Sequence, residues 1–134
     1  MGSHHTDPSA FSFDVKALNI EAKSDVIVQI PPGLSDKNAL FEMLRREVPF
    51  PDYFGNNWNA LFDCLCDLSW IKSRRVIILH SDLPPLDRKE LATYLHVLSD
   101  SVRGWKPNED HELVVAFPPI ARDAIVEIAK SSLS

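Results

Sequence analysis

Cysteine is scarce: Cys64 and Cys66 are the only two among 134 residues, too few for a disulfide framework. Two positions apart on a helix they point in different directions. With no second ligand pair the C-x-C is a poor metal site, so reduced structural or surface thiols are expected and no metal. Glycine is almost as rare, with four in all, and neither a G-x-G-x-x-G fingerprint nor a Walker A lysine occurs. That argues against nucleotide binding, and no cofactor is expected. Long apolar runs are missing too. The strongest, residues 76–79 and 113–117, are four or five residues long, against the roughly 20 needed to cross a bilayer. The opening Met-Gly-Ser-His-His lacks the basic and apolar regions of a signal peptide and is taken as a tag remnant; a cytoplasmic protein without a membrane partner is expected. Basic residues are outnumbered, 14 Lys and Arg against 19 Asp and Glu, for a formal charge of −5. This balance speaks against direct nucleic-acid or anionic-membrane binding and permits a cationic partner.

What is present is an ordinary globular composition, 45% hydrophobic and 25% charged, on a chain long enough to bury a single core. Residues 1–24 are polar and mixed, with Phe11, Phe13, Val15, Leu18 and Ile20 pointing to a short strand or a segment packed on the body. Residues 26–30 are β-branched and end at Pro31-Pro32-Gly33, a strand followed by a turn. Ser35 or Asp36 is placed to cap a helix running to about Val48, with Leu40, Phe41, Leu44 and Val48 at helical spacing. Pro49 and Pro51 stop it. Asn56 or Asn57 caps a second helix from Trp58 to about Leu68. Residues 76–79 form a second strand, and Asp87 opens a third helix to about Gly104, which is placed to end it. Residues 113–117 form a third strand, Pro118-Pro119 break it, and residues 120–133 support a terminal helix. Helices between successive strands predict an α/β domain with a small parallel sheet and right-handed crossovers.

The most informative stretch runs from Tyr53 to Leu68. On a helical wheel Trp58, Leu61, Phe62, Leu65 and Leu68 share one side, the pattern of a core face, leaving Asn59, Asp63, Cys66 and Asp67 on the other. From Asp52 to Asp67 there are three aspartates and no Lys or Arg, so no i, i+4 pair within the segment neutralises them. Such a face admits two readings. It is either the solvated outside of a surface helix, or an acidic face beside an aromatic and glycine loop that recognises something cationic.

The run PDYFGNNWNALFDCLCDL, residues 51–68, resembles the signature of the barstar family, intracellular protein inhibitors of barnase-type ribonucleases. The tyrosine-aromatic-glycine loop, the asparagine two residues past the glycine, and the aspartate followed by cysteine and leucine sit at the family spacing. A looser resemblance covers residues 26–117, where the element order agrees with the family's three-stranded parallel sheet covered by helices. It implies a tag remnant and N-terminal extension over 1–24, a barstar-like domain over 25–117 and an extra C-terminal helix over 118–134. It also implies an immunity protein whose partner is a cationic extracellular-type ribonuclease or a toxin nuclease domain. In the family a helix aspartate occupies the place of a substrate phosphate, and Asp63 matches it. A nuclease pocket collects Arg, Lys and His, so a carboxylate on a rigid helix accepts several charge-assisted hydrogen bonds there without being cleaved. Tyr53 and Asn57 match positions that support or line the binding surface, Tyr53 being equally an anchor of the loop to the core. Gly55 also suits a turn needing positive φ. Asp67 lies on the same face, and Asp100 stands roughly where the family places another acidic contact, or is a solvated surface aspartate.

Two departures bear on target choice. Asn59 stands where well-known members carry a second helix aspartate, removing a charge while keeping an acceptor. Phe62 replaces a tryptophan, with less area and no N–H donor. Differences of this kind discriminate between targets. A rival reading is a small hydrolytic enzyme with an acid–base pair of Asp63 and His80 at the end of the second strand, where α/β proteins commonly bind ligands. No nucleophile elbow or H-E-x-x-H accompanies that pair, and no catalytic residue is assigned. Lys72, Arg74 and Arg75 suggest RNA binding only weakly, since no aromatic platform joins them. A non-inhibitory interaction module is the remaining alternative.

Overall fold

The β-branched runs become the three strands of a computed structural model that describes residues 6–21, 23–51, 54–106 and 109–131. They are β1 (Asp25–Ile30), β2 (Arg75–His80) and β3 (Glu112–Ala116). The helices are α1 (Lys37–Glu47), α2 (Trp58–Asp67), α3 (Arg88–Gly104) and α4 (Arg122–Ser131). The sheet is parallel throughout in the order β1-β2-β3, with Val28 opposite Ile78 and Ile78 opposite Val115. The expected α/β fold with a three-stranded parallel sheet and an extra C-terminal helix is therefore present. Val76, Ile77 and Ile78 are all fully buried, as a middle strand covered on both faces requires. In β1, Val28 and Ile30 are buried while Gln29 between them is exposed.

Helix starts follow the expected side chains. Asp36 accepts from the Asn38 amide at 3.0 Å, Asn57 from that of Ala60 at 2.8 Å, and Asp87 from that of Glu90 at 2.9 Å, each satisfying one of the amides a helix leaves unpaired. One stop differs from expectation. Gly104 is the last residue of α3 and not a left-handed cap; the chain leaves through Trp105 in an extended conformation. The terminal helix likewise begins later than residue 120, because a short 3-10 turn over Pro119–Ala121 comes first.

The segment before β1 is packed on the body. It makes two 3-10 turns, Pro8–Ala10 and Val15–Leu18, and one parallel bridge of Ser12 to Ala116 at the outer edge of β3. Phe11 is buried edge-on against Phe117, ring centroids 5.2 Å apart. Ile125 and Ile128 of α4 belong to the same core as Leu40, Leu65 and Leu98.

Arg75 ties this segment to the start of the sheet. Its Nε and Nη2 donate to the two Asp25 carboxylate oxygens at 3.1 and 2.7 Å, and its Nη1 and Nη2 to the Leu18 and Asn19 carbonyls at 2.9 and 3.0 Å. The Asp25 side chain is only 7% exposed. The hydrogen bonds from Arg75 lead in holding its carboxyl below the usual carboxylate range, and the Glu21 amide adds to them. Arg75 is thus committed to the fold and is no free cation for RNA.

Candidate functional site

Helix α2 is amphipathic because its apolar residues recur every three or four positions. Leu61, Cys64 and Leu65 are buried, as is Leu68 just beyond the helix. Asn59, Asp63, Cys66 and Asp67 are exposed, as the wheel predicts. The core assignment of Phe62 is corrected: the residue is 38% exposed, while Leu61 and Leu65 beside it are 0%. Cys64 takes the inner position instead, because it faces the core between Leu61 and Leu65 and is small enough to fit. Burial, with Asp63 and Asp67 adding to it, pushes the Cys64 thiol up. Partial covering of the sulfur raises that of Cys66 as well, a hydrogen bond with Ser101 opposing it. Both stay protonated thiols at neutral pH.

The loop before the helix is held by its own amides. Asn56, and not Gly55, carries the positive φ, 51°, and its Nδ2 donates to Glu42 Oε2 of α1 at 3.1 Å. This corrects the turn reading of Gly55, whose absent side chain serves close approach: a Cβ there would lie 3.2 Å from Asn57 Nδ2. The Asn57 amide is engaged twice, by the cap to Ala60 and by donation to the Gly55 carbonyl at 3.3 Å. Phe54 is buried against Phe41 and Phe50. Tyr53 and Asp52 lie outside the described residues.

Beside α2 runs α3, and an open groove of about 330 Å³ between them is lined by Trp58, Asn59, Phe62, Thr93, His96, Val97 and Asp100. Three expected residues, Asn59, Phe62 and Asp100, are brought together there. Asp100 is half-buried and faces His96 Nε2 at 3.3 Å. His96, Thr93 and Val97 were not anticipated; their signal is the spacing 93, 96, 97, 100, one stripe of a helix. Asp63 is exposed on the same helix as the groove's α2 wall, and it makes no hydrogen bond or ion pair among the described residues. No base stands in the last turn of α2, so its negative dipole end adds to Asp63 and Asp67.

The family model for barstar (barnase inhibitor) matches residues 28–117. The chain belongs to the barstar family. No curated protein and no solved structure matches it. Membership in a family of inhibitors fits a protein that is not an enzyme. No helix among the described residues is long and apolar enough to cross a membrane.

The proposed acid–base pair is not made. His80 is buried, with Nδ1 3.0 Å from the Ala116 carbonyl and Nε2 2.7 Å from the Tyr94 hydroxyl. A carbonyl only accepts, so Nδ1 carries the proton and Nε2 accepts from Tyr94. The ring stacks on Phe117 with centroids 4.0 Å apart, and burial lowers its pKa to about 4. With both nitrogens engaged in the core, His80 has none to offer Asp63. Among the described residues no cluster of His, Cys, Asp and Glu is arranged to hold a metal.

Proposed function

We propose that the protein inhibits a cationic ribonuclease of the barnase type, or a toxin nuclease domain, by placing the outer face of α2 in its active site. Asp63 stands in for the substrate phosphate, Phe62 and Asn59 lie beside it on the partner, and Asp67 and Asp100 extend the negative surface. The observation that carries the reading is Asp63 itself: an exposed carboxylate on a capped helix, without a partner among the described residues, in a chain of the barstar family. Such a group has its acceptor sites open to the guanidinium and ammonium donors of a phosphate pocket. The dipole end of α2 and the neighbouring aspartates steer a cationic enzyme toward it.

The segments over 1–24 and 118–134 are read as elaborations of a core domain over 25–117. The test is direct. The purified protein hydrolyses no RNA by itself, abolishes cleavage by a barnase-type ribonuclease when added in stoichiometric amount, and fails to do so as Asp63→Ala. Tight inhibition by Asp63→Ala would remove the anion-mimic role, and turnover of RNA by the lone protein would remove the inhibitor reading.

A further inference from the structure

We infer that α2 is a pre-aligned docking helix, tied to α3 at both ends through tryptophan indole N–H groups, with Trp58, Glu90 and Trp105 acting as positioning residues for Asp63. The inference rests on the inhibitor reading for its consequence but stands on geometry independent of it. At the start of α2, Trp58 Nε1 donates to Glu90 Oε1 in the first turn of α3, at 2.9 Å. At its end, Trp105 Nε1, one residue past α3, donates to the Leu65 carbonyl at 2.9 Å. Start therefore meets start and end meets end, so the two helices run side by side in the same direction. The anchored residues, 58 and 65, stand about 10 Å apart along the axis, and Asn59, Phe62 and Asp63 all lie between them.

Parallel neighbours place like dipole ends together, which is unfavourable. Both bonds offset this. The Glu90 carboxylate sits where helix starts converge, since Lys37 Nζ from the first residue of α1 reaches its Oε2 at 3.2 Å. The hydrogen bonds from Trp58 and Lys37 hold the Glu90 carboxyl below its ordinary range. At the other end, Leu65 O is one of the last four carbonyls of α2, which have no partner inside the helix. No basic side chain occupies that turn, and the Trp105 indole supplies the donor instead. Trp58 is further fixed by packing on the Phe41 and Tyr94 rings, at centroid distances of 4.8 and 5.9 Å. A side chain whose backbone is pinned on both sides loses little freedom on docking, and that reduces the cost of binding.

The experiment reads two quantities on Trp58→Phe, Trp105→Phe, Glu90→Leu and Glu90→Gln, each first shown fully folded by urea titration. The first is amide hydrogen exchange of α2 in the free protein. The second is the inhibition constant against a barnase-type ribonuclease. Expected are faster exchange confined to α2, with β2 amides unchanged, and inhibition weakened about three- to tenfold by each Trp→Phe variant and by Glu90→Leu. Glu90→Gln, which keeps an acceptor for the indole, restores both, and Lys37→Ala changes neither. If α2 exchange stays at the wild-type rate in the Trp→Phe variants, the indoles only fill space and the clamp is overturned. Exchange that rises while inhibition holds within twofold overturns the positioning role. Should the unaltered protein inhibit no such ribonuclease, the functional reading falls, and the exchange data alone still decide whether α2 is clamped.

Discussion

Asp25 and Asp63 are the same side chain put to opposite uses. Asp25 lies at the start of the sheet, 7% exposed, with both oxygens taken by Arg75 and one also by the Glu21 amide. Asp63 lies on α2, exposed and without a hydrogen bond or ion pair among the described residues. A buried charge survives only when its acceptor sites are filled at home. One left open at the surface is available to a second molecule. Satisfied and unsatisfied polar groups thus separate the part of the chain that holds the fold from the part that, on the inhibitor reading, meets a partner.

The largest expected effects come from removing one charge at each place. Asp63→Asn should weaken inhibition of the ribonuclease at least about 100-fold, as at a central hot spot, with unfolding free energy within about 0.5 kcal/mol of wild type. Asp25→Asn should do the reverse, costing about 2–4 kcal/mol by leaving Arg75 without its charge partner, while the folded fraction inhibits normally. Urea titrations and inhibition constants on the two variants check this crossing. If both variants lose stability and both keep inhibition, the contrast is wrong.

Acid sharpens the same contrast in the core. His80 is held neutral, its pKa lowered from about 6.5 to about 4 by burial. Because the unfolded chain takes up the proton first, this contribution is fully present above about pH 6.5 and is lost as pH falls toward 4. About 3 kcal/mol of stability should disappear over that window, and the loss should flatten in His80→Gln. Below it the Asp25 contribution fails as well, since a carboxyl held low loses its stabilisation as pH drops through its folded value. Urea midpoints at pH 7.5, 6 and 5 measure the first window; a wild-type slope equal to that of His80→Gln would remove His80 as its source.

Salt acts on the other member of the pair. Exposed charges are screened far more than buried ones, so raising ionic strength from about 50 to 500 mM should slow association with the ribonuclease about tenfold. Stopped-flow rates read it, and the slope should shrink in Asp67→Asn and Asp100→Asn. An association rate indifferent to salt would mean that the acidic surface does not steer.

Much of this was legible from residue order. The three strands, the caps Asp36, Asn57 and Asp87, and the outer face of α2 all follow from local rules, because capping and periodicity depend on near neighbours. The 51–68 signature carried the family. What escaped depends on distant chain segments. Phe62 fits the apolar stripe of α2, yet it is exposed at the open groove beside α3. His80 reads from the sequence as half of an acid–base pair at a strand end, yet Tyr94 and Phe117, far along the chain, close over it. His96 has no local mark beyond its helical spacing with Asp100. Arg75 stands in the sequence with Lys72 and Arg74 as a weak RNA-binding candidate, until the Leu18 and Asn19 carbonyls and Asp25 are placed around it.

The smallest effect concerns Asn57, which the resemblance matches to a position that supports or lines the binding surface and whose amide is spent on the Ala60 cap and the Gly55 carbonyl. Asn57→Ala should cost about 1 kcal/mol of stability, the usual loss of an N-cap. Asn57→Asp should restore it, because a carboxylate oxygen caps as well and its charge suits the positive end of the helix. Inhibition should follow stability in both variants, changing by no more than a few-fold, because the side chain acts through the first turn of α2. If Asn57→Asp folds like wild type and still loses inhibition by tenfold or more, the side chain touches the partner directly and belongs with Asp63 on the open face.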